Sequence, residues 1–167
     1  MRQRPADLAR VPHEVTRIAD QIRRAAEGHA WCGPSAREAL DGVTADEAHA
    51  RPIPGAHSIW ALVRHMTVWA DAGRRRLSGE IVEPTPAEDY PPLDGHETPA
   101  DWEHDRHALF AAHQALARAV ETMDDPALHR PLSHDYTVYI TLHGVTQHTL
   151  YHTGQIMLLK RALRAAV

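Results

Sequence analysis

His148 and His152 stand four residues apart in the segment VTQHTLYHTGQI. On an α-helix that spacing sets the two imidazoles about 40° apart and one turn along the axis, so both rings can address a single ion. The pair interrupts an otherwise apolar stripe of Val145, Ile156, Leu159 and Leu163, where a polar ring costs free energy unless it gains a hydrogen bond or a metal. Two readings follow: a divalent-ion site, or two core histidines bonded to carbonyl groups. The pair is not a zincin motif, because HTLYH carries Thr149 where H-E-x-x-H carries its general-base glutamate. From Tyr136 to Val167 there is no Asp or Glu, so a carboxylate ligand or base must come from another element or be absent.

The chain holds 14 histidines, dispersed rather than gathered in a tag, so position must decide which of them do chemistry. His65, midway along HSIWALVRHMTVW, faces partly inward and is either a third ligand or a boundary histidine. His104 and His107 compete for that role at a spacing of three, but their charged neighbours place them in solvent. His113 follows a buried pattern and stands alone on its face, while His57, His143 and the loop residues His29, His49, His96, His129 and His134 carry weaker signals. Three histidines from two helices would leave positions open for water or substrate, which separates catalytic from closed structural zinc sites. Tyr151 and Gln155 flank the pair and are candidates to hold a cofactor or substrate, or to orient a ligand. Ser58 reads as an N-cap, with no G-x-S-x-G around it, and Cys32 has no activating base beside it.

Four helices must position these groups. His13 to Glu27 places Val15, Ile18, Ile22 and Ala25 or Ala26 on one face and stops at Gly28. The Gly- and Pro-punctuated stretch from Trp31 to His57 admits only short turns, with Ser35/Glu38 and Thr44/Glu47 as capping boxes. A second helix runs from Ser58 to about Leu77, burying Ile59, Leu62, Val63, Met66, Trp69 and Ala70. Ser78 to Pro99, with Pro84, Pro86, Pro91 and Pro92, reads as too irregular for a helix or paired strand, and is long enough to cross the bundle or cover a site. A third helix from Pro99 to Met123 buries Trp102, Leu109, His113, Leu116, Val120 and Met123, and Asp124, Asp125 and Pro126 end it. The fourth runs from about Thr137 or Ile140 to Ala165. The expected fold is therefore all-α, a four-helix bundle with a long Pro-rich connection between helices 2 and 3, spanning residues 1–167 as a single domain.

Composition narrows the function classes. With 43% hydrophobic and 24% charged residues the chain is an ordinary globular sequence. Its 18 basic and 22 acidic residues are spread without a basic block, so neither nucleic acid nor a membrane is an expected partner. The single cysteine fits a reducing compartment, and MRQRPADLARVPHEV has no signal-peptide core, so the expected location is the cytoplasm.

In order and separation, GAHSIWALVRHMTVW, the proline-rich excursion and HTLYHTGQI resemble the DinB/YfiT superfamily of metal-binding four-helix bundles, over about Leu8 to Leu163. The resemblance implies a metal triad of His65, His148 and His152, a zinc, nickel or related divalent ion, and a homodimer. It also implies a small-molecule substrate and, as in several members, a low-molecular-weight thiol used in transferase or isomerase chemistry. Some thiol-using members have a carboxylate in the triad, and the last helix here has none. The expected function is activation of a thiol, or of water for hydrolysis, with substrate entering between the bundle end and the Gly79 to Thr98 loop. The alternative is a non-catalytic stress-associated metal-binding or helical dimerisation protein.

Overall fold

Most helix starts follow the capping chemistry written in the chain. A computed structural model describes residues 13–133 and 135–165. His134 and the beginning of the resemblance at Leu8 lie outside the described residues. The helices are α1 (Glu14–Glu27), α2 (Ala36–Leu40), α3 (Ala45–His49), α4 (Ile59–Leu77), α5 (Pro86–Asp89), α6 (Pro99–Glu121) and α7 (Val138–Ala165), with a 3₁₀ turn at Asp125–His129. Ser35 and Thr44 form the expected reciprocal boxes with Glu38 and Glu47, and Ser58 accepts from the Ala61 N–H at 3.2 Å. The described residues contain no strand, only an isolated bridge between Pro131 and Thr137. No described helix is long and apolar enough to cross a membrane.

Three local expectations change. The Pro-rich stretch is not wholly irregular: Thr85 and Glu88 close a capping box around Pro86 at the first helical position, and this makes the single turn α5. Trp69 is only partly buried, because its indole turns toward the linker rather than the core. α6 stops at Glu121 with Thr122 as its C-cap, two residues before Met123, and Asp124 caps the following 3₁₀ turn through the Ala127 N–H.

The four long helices close a ring of contacts, α6 packing on α1 and α4, and α7 on the same two. Near the start of α4, the Trp60 indole N–H donates to Asp105 Oδ2 at 2.7 Å, whereas farther along Gly73 lies against Leu116, so α4 and α6 run parallel. Across α4 and α7, His65 meets His148 and His152 while Gly73 meets Val145, so those two run antiparallel. Parallel neighbours need a long return, and a helix of 19 residues spans about 28 Å. The linker makes that return along α4. Arg76 donates to the Val82 carbonyl at 2.6 Å, Trp69 to Asp89 Oδ1 at 2.6 Å and Arg64 to the Pro92 carbonyl at 2.7 Å, so the linker advances as α4 is read backwards.

Two apolar clusters fill the interior. One joins α2, α3, the first halves of α4 and α6, and Ile156 and Leu159 of α7. The other joins α1, the second half of α6 and the start of α7 through Val145. Between these levels on α7 lie His148, Thr149, His152 and Thr153, and on α6 His113.

Candidate metal centre

Helical spacing alone brings the α7 pair together: His148 and His152 lie one turn apart, and their Nε2 atoms are 3.0 Å from each other. From the facing α4, His65 extends its Nε2 to within 2.8 Å of His148 Nε2. The ligand-capable nitrogens of all three lie within 4.8 Å of one another. His65 and His152 are each 5% exposed, and His148 is half-buried.

The outer ring nitrogens decide what the inner ones can do. His65 Nδ1 lies 2.9 Å from the Asp89 carbonyl oxygen and 2.9 Å from Asp89 Oδ1, both acceptors, so its proton sits on Nδ1. His152 Nδ1 lies 2.7 Å from Gln155 Oε1, which calls for the same tautomer. The Nε2 lone pairs of His65 and His152 therefore both face His148 Nε2, and a single proton there can serve only one of them. Convergent nitrogen donors with outer N–H groups held by oxygen acceptors form a ligand set suited to a divalent ion. Protons compete weakly for the α7 pair. Burial first, and then the neighbouring His152 and His65, push the His148 conjugate acid down to about 4, and burial likewise lowers that of His152.

Aromatic rings pack the remaining sides. Tyr90 stacks on His65 with ring centres 4.1 Å apart and on His57 at 3.9 Å, so the linker ring lies between the two imidazoles. Burial raises the Tyr90 pKa, which keeps its hydroxyl neutral. A groove of about 660 Å³ opens from His65 and His148, walled by Trp69, Val82 and Asp89 on one side and Leu132, Ile140 and Val145 on the other. It lies where the chain leaves α4 and enters the linker.

Of the residues proposed from sequence, His65, His148 and His152 converge. Gln155 reaches the site through a ligand-capable ring. Tyr151 is 65% exposed, with its ring edge-on to His152 at 5.0 Å. His104 and His107 are exposed, as their charged neighbours require, and His113 is buried away from the cluster, bonded to Thr149. Sequence reasoning missed Asp89, Tyr90 and the site-facing role of Trp69. The one local signal was the T-P-A-E capping box, which fixes a turn just before Asp89.

Residues 31–156 match a family model described as the DinB superfamily, a span that includes all three converging histidines. No curated protein and no solved structure matches the chain.

Proposed function

This chain belongs to the DinB superfamily, and from that premise we propose that His65, His148 and His152 hold a divalent ion, zinc or nickel, at the heart of a small-molecule enzyme. We read the ring of long helices as the superfamily's four-helix bundle, the whole chain as one domain, and a homodimer in the cytoplasm as its assembled form. The observation that carries the metal reading is the convergence of the three Nε2 atoms, two of them with lone pairs directed inward by Asp89 and Gln155.

A bound divalent ion lowers the pKa of a coordinated thiol or water and so supplies a nucleophile near neutral pH. The protein's own groups favour the thiol. Thr149, where a zincin has its glutamate, is buried and turned toward His113, so α7 offers no general base for water. A thiol, far more acidic than water before it binds, would release its proton to solvent on binding and needs none. The groove walls, Trp69, Val82, Leu132, Ile140 and Val145, suit the apolar body of an electrophilic substrate and exclude water from its reacting end. The reaction class is thus transfer of a low-molecular-weight thiol to an electrophile.

Elemental mass spectrometry on the untagged protein tests the centre. The wild type should carry about one divalent ion per chain, and His65→Ala, His148→Ala and His152→Ala should each lose it while remaining folded. A metal-loaded protein that consumes glutathione, mycothiol or bacillithiol only when an electrophile is present supports transfer. Metal without consumption leaves the non-catalytic metal-binding alternative, and no metal after incubation with zinc, nickel, manganese or iron removes both.

A further inference from the structure

The three histidines carry no negative charge, and α7 holds no carboxylate to offset a dication. A carboxylate nevertheless reaches the site by another route. Asp89, the last residue of α5, places Oδ1 2.9 Å from His65 Nδ1, and the Trp69 indole N–H donates to that same oxygen at 2.6 Å. Both contacts come from α4, one turn apart, so the helix that presents His65 also grips the carboxylate that faces it. Tyr90, the next residue, closes over the His65 ring by stacking.

We propose that Asp89 is a positioning residue of the metal centre, whose carboxylate acts through His65 to supply the negative charge that the histidine set lacks. This inference rests on the metal reading above. The physical case is a division of labour between two acceptors. The Asp89 carbonyl alone would hold the His65 proton on Nδ1, so the carboxylate is not needed to choose the tautomer. What it adds is charge, one imidazole ring away from the inward nitrogen, which makes that nitrogen more electron-rich and lowers the cost of a cation beside a partly buried, otherwise neutral donor set. The Trp69 N–H keeps Oδ1 on His65 rather than in the solvent of the groove.

Asp89→Asn separates the two contributions, since an amide oxygen can accept from Nδ1–H and carries no charge. Zinc affinity, measured by competition with a chromophoric chelator, should fall by roughly 10- to 100-fold in Asp89→Asn, the range seen when partners of ligand histidines are removed. Trp69→Phe, which keeps the ring and removes the donor, should weaken affinity in the same direction by a smaller factor. The visible absorption of cobalt(II) in the site should shift in both, whereas a purely structural role would lower the metal-free melting temperature and leave that spectrum unchanged. Wild-type affinity and an unchanged cobalt spectrum in Asp89→Asn overturn the proposal. If His148→Ala also binds zinc like the wild type, the fault lies with the metal centre itself, so the two failures are distinguishable.

Discussion

His113 and Thr149 show how a single buried pair separates a core histidine from a ligand. Burial pushes the His113 conjugate acid down, so the ring is neutral and has one N–H. Its Nδ1 faces the Leu109 carbonyl at 2.9 Å, which can only accept, and Nε2 lies 2.9 Å from Thr149 Oγ1, whose one proton it shares with the Val145 carbonyl 2.8 Å from the same oxygen. Thr149→Val leaves that nitrogen buried without a donor and should cost about 1–3 kcal/mol in urea unfolding. Adding His113→Leu should recover part of the loss, with metal content unchanged throughout. Strictly additive costs in that cycle would show that the two side chains do not interact. The same scale marks what the sequence disclosed. His148 and His152 were legible because their spacing is a property of one helix, and Thr149 excluded the zincin reading on its own. His65 was ambiguous from spacing because its nearer partner, His148, is 83 positions away, and the family resemblance resolved it. Asp89 was invisible because its reach depends on how a non-periodic linker folds back, which no local pattern encodes.

At the scale of elements, the linker behaves as a strap laid along α4. Prolines lack the N–H needed for helix or sheet, so this segment is held through carbonyl acceptors and side chains instead. Arg76 and Arg64 grip its two ends, and Arg64 also donates to Asp105 Oδ2 at 2.7 Å, tying the strap to α6. Arg64→Ala removes the second grip without touching the histidines. Amide hydrogen exchange should then quicken at Leu93, Asp94, Gly95, His96 and Glu97, while the α7 amides keep their protection. Unchanged exchange over that segment would mean that the strap is held by its own turns. The capped helices were readable because capping boxes are local, and α5 was readable in principle from Thr85 and Glu88. The parallel course of α4 and α6 was not, since linker length alone permits either a crossover or a cover. Here the segment does both: it returns the chain to the start of α6 and lines the groove. Gly73 belongs to this level too, because a methyl group there would stand 3.2 Å from Val145 Cγ2, so its small size lets α4 approach α7 closely.

For the whole molecule, the interior histidines make stability depend on pH in one direction. His113 and His152 have conjugate acids below the ordinary 6.5, and that of His148 is about 4. In the unfolded chain each takes up its proton near pH 6.5. Between that value and the folded values the unfolded state binds more protons, so stability rises with pH across the window and is lost as pH falls from about 6.5 toward 4. Carboxylates act lower down and with the same sign. Glu121 on Arg23, and Glu47 on Arg164, lie below the ordinary 4.5, so their contributions persist above that value and disappear only in stronger acid. The metal-free protein should therefore lose urea resistance in two stages, an imidazole stage that begins near pH 6.5 and a carboxylate stage below about pH 4.5. Comparison of His113→Leu with the wild type isolates one imidazole: its midpoint should fall less between pH 7.5 and pH 5, whatever its stability at pH 7.5. Parallel curves for the two proteins over that interval would show that the core histidine is hydrated or protonated in the folded state. The polar layer between the two apolar clusters would then be open to water instead of sealed.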